Sequence, residues 1–144
     1  MFSKACEYGI KAAIYIAANS NEGKRVSLKG IAKHIDSPEA FTAKILQILA
    51  RENVITSVRG INGGFEIQKH QLEKIQLSDI VKAIDGDHIY NGCGIGLKQC
   101  NELHPCPIHN DFKIVRDKLK ILLETTNLKT LALDVNAGVS FLKV

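Results

Sequence analysis

Pro38 constrains this chain more than any other residue, because it interrupts what would otherwise be one long helical pattern. Before it, Leu28, Ile31, Ala32 and Ile35 recur at helical spacing behind Ser27, an N-cap residue type. After it, Phe41, Ile45, Ile48 and Leu49 define the inner face of a second helix. Proline lacks a backbone N–H and clashes with the preceding turn, so it is excluded from a helix interior but accepted at the first helical position. The pattern therefore predicts two helices, the second capped by Ser37 and running from Pro38 to about Glu52, joined by a turn of about three residues. That is the layout of a helix-turn-helix, whose second helix enters the DNA major groove.

The outward side of the second helix is small and then basic, with Ala40, Ala43, Lys44, Gln47 and Arg51. Two β-branched and aromatic runs follow, Val54 to Arg59 and Phe65 to Gln68, joined by Gly60-Ile61-Asn62-Gly63-Gly64. Such turn chemistry predicts a hairpin, and a hairpin after a helix-turn-helix is a wing. Arg59 then stands where a guanidinium can enter a minor groove, whose negative potential attracts it; the alternative is an ordinary solvated turn residue. Ser37, Glu39, Thr42, Lys44 and Gln47 of the helix, with Arg59, Asn62 and Gly63 of the wing, are the candidate DNA contacts. Charge supports this: residues 1–70 hold ten Lys/Arg against six Asp/Glu, residues 71–144 nine of each, so the whole surplus of +4 lies in the first half.

An alanine-rich stretch, Ser3 to Asn19, predicts a buried first helix, with Cys6, Ile10, Ala13, Ile14 and Ala17 inside. A polar connector spans His70 to Gln76, and a helix from about Ser78 ends at Asp85-Gly86. Cys93 to His109 reads C-G-I-G-L-K-Q-C-N-E-L-H-P-C-P-I-H, three cysteines in a loop studded with glycine and proline. Neither helix nor strand competes for such a backbone, so it can wrap one metal centre. Asn110 to Thr125 predicts a long helix with Phe112, Val115, Leu119 and Leu122 on one stripe and Ile114, Ile121 and Leu123 beside it. That face is too broad for packing on one side, which predicts a symmetric dimer presenting two recognition helices to a pseudo-palindromic double-stranded DNA site. Asn127 is a candidate cap for a last short helix, and nothing is legible from Val135 onward.

The expected architecture is mainly α with a small β-hairpin: a winged helix-turn-helix region at 1–86, a cysteine-rich loop at 87–109, and a dimerisation helix with tail at 110–144, within one compact domain. No run of 18 apolar residues and no secretory leader is visible, so a cytoplasmic chain without a membrane segment is expected. Thiols stay reduced there, and four cysteines then point to metal or redox chemistry rather than to disulfides. No nucleophile triad, carboxylate pair or phosphate-binding glycine motif is recognisable, and an enzyme is not expected.

The chain resembles the Rrf-two family of bacterial winged-helix regulators over most of its length. The resemblance is carried by E-Y-G-I-K-A-A, S-L-K-G-I-A-K-H-I, S-P-E-A-F-T-A-K-I-L-Q-I-L, the wing V-R-G-I-N-G-G-F, L-S-D-I-V-K-A-I-D-G, and the three cysteines preceding a helix. It implies a dimeric regulator whose iron–sulfur cluster, [2Fe–2S] or [4Fe–4S], alters DNA binding. Cys93, Cys100 and Cys106, spaced C-x6-C-x5-C, fall on the family's three ligand positions. Some members take a histidine three residues after the third cysteine, the place of His109; others take a carboxylate from helix 1 of the partner subunit, the place of Glu7. Some recruit a histidine of the helix-turn-helix, the place of His34, while His104 within the loop is expected to be exposed. Incomplete thiolate ligation leaves an iron more open to oxidant or nitric oxide, which suits a sensor. Two alternatives stay beside it: a structural zinc site of Cys93, Cys100, Cys106 and His109, although no C-x-x-C knuckle is present, or metal-free redox thiols. In a different class of function, the chain is a redox, electron-transfer or protein-interaction module that binds no DNA.

Overall fold

The computed structural model describes all 144 residues and is mainly helical, with one two-stranded antiparallel hairpin. Helix α1 (Lys4–Asn21) runs through the middle. Ser3 caps it by accepting from the Cys6 N–H at 3.0 Å, and Ser3 also donates to the Asp85 carboxylate through both its backbone N–H and its hydroxyl. Ala12, Ala13, Ile16 and Ala17 are fully buried, the small alanines allowing neighbouring helices to press close around Ile16. At Gly9 even a Cβ would lie 2.2 Å from the tip of Ile84.

Helix α2 (Leu28–His34) starts at Ser27, whose Oγ accepts from the Gly30 N–H at 3.1 Å, as the sequence leads one to expect. Helix α3 (Glu39–Arg51) differs from expectation at its start. Pro38 takes the cap position and no side chain caps the helix; Ser37 instead bonds to Thr42 at 2.5 Å. The turn is tighter than a simple Ser-Pro start: Asp36 adopts φ 54° and the Ser37 N–H reaches back to the Ala32 carbonyl at 2.9 Å.

The hairpin is β1 (Thr56–Val58) with β2 (Gly64–Glu66), in the register Thr56↔Glu66, Ser57↔Phe65 and Val58↔Gly64. It is shorter than the two apolar runs suggest because their outer ends serve the core: Val54 and Ile55 are 3% exposed and Ile67 2%. The expected polar connector contains one helical turn, α4 (Lys69–Leu72), held by the burial of Leu72. Helix α5 (Leu77–Asp85) stops at Gly86, whose φ of 77° ends it as expected.

Beyond a short α6 (His88–Asn91) and the cysteine loop, α7 (His109–Thr125) docks through Leu123 into a small cluster with Cys6, Val81 and Tyr90. Helix α8 (Leu128–Asn136), capped by Asn127 accepting from the Thr130 N–H at 2.9 Å, packs on α1 and buries Leu128 and Ala132 completely in the main core. The C-terminal segment thus closes the hydrophobic core of the N-terminal region. Each fully buried leucine of this kind contributes roughly 2 kcal/mol. No helix is long and apolar enough to cross a membrane.

Candidate DNA-binding face and cysteine loop

On the recognition side, α3 exposes Glu39 in its first turn and then Lys44 and Gln47. Thr42 does not belong to that surface: it is fully buried, and its hydroxyl donates to the Pro38 carbonyl at 2.8 Å. A threonine hydroxyl has one proton, so the Ser37 hydroxyl must be the donor in the Ser37–Thr42 bond. Ser37 and Thr42 therefore build the turn rather than face outward. Their types are equally suited to DNA contact and to turn construction, which is why the sequence alone placed Thr42 on the wrong side.

Arg59, exposed after β1, and Asn62, exposed in the turn, occupy the tip of the hairpin. Gly63 is half-buried, and a Cβ there would meet the Val58 carbonyl oxygen at 2.2 Å, so its role is to close the turn. Gly64 has φ 137°, and a Cβ would meet the Val26 carbonyl oxygen at 2.6 Å. That closeness reflects a bridge between Val26 and Phe65, with N–H to O distances of 3.1 and 2.8 Å, which adds the α1–α2 linker to the hairpin edge.

All four cysteines of the chain are free thiols: Cys93, Cys100 and Cys106 of the loop are half-buried, and Cys6 of α1 is buried. Cys93 and Cys100 line one open cavity of about 680 Å³ with Gly92, Gly96 and Lys98. The loop lies against α7, since a Cβ at Gly94 would sit 2.7 Å from the Phe112 ring. Backbone N–H groups of Ile95 and then Leu97 hold the Cys93 thiol below its ordinary pKa, with the Cys106 thiol adding to the effect. Cys6 behaves oppositely: burial first, then the Asp85 carboxylate, pushes it up to about 12. It is an inert core thiol.

Helix α7 contributes two side chains to Cys100. His109 is 6% exposed with its Nδ1 3.5 Å from Cys100 Sγ, and Arg116 is 9% exposed and donates through Nη1 to Cys100 Sγ and to the Gly92 carbonyl, each at 2.9 Å. Being seven residues apart, they share a helix face, a signal present in the sequence but hidden by the apolar stripe that surrounds it. Arg116 Nε is buried with no hydrogen-bond partner, and the guanidinium is suited to offset negative charge on a thiolate-ligated group.

The other candidate ligands lie elsewhere. Glu7 is exposed on α1 and pairs with Lys4 at 3.2 Å. His34 stacks on Tyr15, ring centroids 4.0 Å apart and 12° from parallel, and His104 is exposed. No three Cys, His, Asp or Glu side chains converge as a metal site in this arrangement. Of the candidate donors, Cys100 and His109 stand as a pair, Sγ to Nδ1 3.5 Å. By donor chemistry, three thiols and an imidazole fit an iron–sulfur cluster or zinc, and the loop must close further to bring them together.

A helix-turn-helix flanked by a glycine-turned wing defines a winged-helix transcription regulator. Residues 2–134 match the family described as "Rrf2: Iron-dependent Transcriptional regulator", the Rrf-two family, and the chain belongs to it. A protein of Aquifex aeolicus described as an HTH-type transcriptional regulator is 29% identical over 133 residues, covering 91% of this chain and 90% of that protein. Among solved structures, CymR of B. subtilis, described as the global cysteine regulator, is 23% identical with a TM-score of 0.73, covering 92% of this chain and 96% of that one. T. potens IscR is 21% identical, also with a TM-score of 0.73, over 97% and 91% of the two chains. These two confirm the fold. Regulators of this family bind DNA and are not enzymes.

Proposed function

We propose that the chain is a homodimeric transcription regulator whose iron–sulfur cluster, [2Fe–2S] or [4Fe–4S], senses redox state, nitric oxide or iron supply and gates binding to a pseudo-palindromic duplex. The observation that carries this reading is the convergence of buried His109 and Arg116 of α7 on Cys100, in a loop that also holds Cys93 and Cys106. Cys93, Cys100 and Cys106 with His109 would hold the cluster; Glu7 is the alternative fourth ligand, from the partner subunit. When bound, the group supplies one-electron redox chemistry and reactivity toward oxidants. The chain's own residues link the loop to the long helix: Arg116 ties Cys100 and the Gly92 carbonyl to α7, and Phe112 supports Gly94.

Ile114 with Ile121 and Val115 with Leu122, each pair one heptad apart and all more than half exposed, form a two-row apolar stripe on the outer side of α7. A second copy of α7 is the partner this stripe suits, and such a dimer would set the spacing of two α3 helices.

The test is anaerobic iron, sulfide and zinc analysis with an absorbance spectrum. Cys93→Ala, Cys100→Ala and Cys106→Ala are each expected to abolish visible cluster absorbance; full colour in all three refutes the ligand set, and zinc without iron points to the structural alternative. A second reading has one observation in its favour, that no three donor side chains of the loop converge: the loop thiols act without a metal. Metal-free protein whose DNA binding is lost with diamide and restored by a thiol reductant would establish that reading instead.

A further inference from the structure

Three tethers join the wing to the rest of the chain. At its root the Ile67 N–H donates to the buried Ser20 Oγ of α1 at 2.9 Å. In the middle Phe65 and Val26 exchange backbone hydrogen bonds. Along its length Arg25 reaches across, its Nε 3.0 Å from Glu66 Oε2 at the root end of β2 and its Nη1 3.2 Å from the Asn62 carbonyl oxygen in the turn. Two of these are backbone or buried contacts; the tip is held by one side chain alone.

We propose that Arg25 is a positioning residue for DNA binding, one that fixes the wing turn so that Arg59 meets the duplex. Arg25 immediately precedes Val26 and the Ser27 cap of α2, so the segment that grips the wing tip also starts the helix-turn-helix. A guanidinium presents several donors in a rigid plane, which lets one residue hold a carboxylate on β2 and a carbonyl in the turn at once; an ammonium is a single point of charge. The pair also neutralises Glu66, which otherwise places a carboxylate on the strand that leads away from the basic tip. As an exposed ion pair it adds little to stability, the Arg25 side chain being 41% and Glu66 27% exposed. Its effect is on the geometry of a short turn. Sequence reading passes over Arg25 because it lies in a polar loop forty-one residues from its partner.

The inference rests on the wing contacting DNA, and the two can fail separately. Binding of the full-length protein to a mixed-sequence 30-base-pair duplex is measured by fluorescence anisotropy from low to moderate salt, with thermal midpoints recorded for every variant. Glu66→Thr is decisive, because its short β-forming side chain cannot reach Arg25 while the protein gains one unit of positive charge. Electrostatics alone predicts tighter binding; positioning predicts binding weaker by about threefold at an unchanged thermal midpoint. Tighter or equal binding overturns the proposal. Arg25→Ala is expected to weaken binding, and the double variant Arg25→Ala/Arg59→Ala to bind no more weakly than Arg59→Ala alone, since Arg25 acts through Arg59. Fully additive losses would show that Arg25 contacts phosphate itself and would overturn the positioning role. Arg59→Ala is expected to lower the salt slope by about one; if it changes neither affinity nor slope, the wing reading fails and the inference with it.

Discussion

Thr42→Val separates turn construction from DNA contact at the start of α3. The substitution keeps the shape of a fully buried side chain and removes its hydroxyl, which gives its proton to the Pro38 carbonyl and accepts one from Ser37. Each such bond is worth about 1 kcal/mol net, so the variant should lose about 2 kcal/mol. With an unfolding entropy of about 2.1 cal/mol/K per residue, 144 residues give about 0.3 kcal/mol/K, and the midpoint should fall by about 7 °C. Differential scanning calorimetry reads the shift directly. Thr42→Ser, which keeps the hydroxyl and loses only the methyl, should fall less. The salt slope of duplex binding, measured well below the midpoint, should not change in either variant, because a buried hydroxyl releases no counterions. An unshifted midpoint together with weakened DNA binding would refute the argument and return Thr42 to the contact surface.

Protein stripped of metal should react with iodoacetamide at Cys93, Cys100 and Cys106 near pH 8 while Cys6, its pKa near 12, is labelled only on unfolding; mass spectrometry showing all four modified at one rate would contradict the burial argument. The sign follows from that shift: a thiol raised above its usual value stays protonated, and therefore unreactive, until the pH approaches 12. Ile121→Glu, at a position 62% exposed, should leave folding intact and shift sedimentation from dimer to monomer, and an unchanged dimer would move the interface off α7. Gly64→Ala should destabilise by about 1–3 kcal/mol, since alanine is strained at φ 137° and its Cβ meets the Val26 carbonyl; a stable variant with native duplex affinity would show that the bridge is dispensable.

Much of the architecture was legible because its signals are local. Pro38, Gly86 and the glycine turn act through their own backbones, and Ser27 and Asn127 through side-chain caps three residues long, so they mark helix starts, helix ends and the hairpin wherever the chain goes afterwards. The apolar stripe of α7 and the clustering of three cysteines ahead of it were equally visible in order and spacing. The local signals mislead where one residue type serves two purposes: Ser37 suits a cap and Thr42 a contact, whereas both build a turn whose bonds span up to five residues.

The elements, the winged-helix order and the inventory of thiols follow from local chemistry, because propensity, capping and turn formation act over a few residues. Tertiary structure alone decided that α8 closes the core against α1, that Arg25 grips Glu66 across the wing, and that His109 and Arg116 both turn toward Cys100. Those contacts join residues distant in the chain or depend on which face of a helix is left uncovered. Burial, charge pairing and the desolvation of a guanidinium are properties of the assembled neighbourhood, and no short window of sequence contains it.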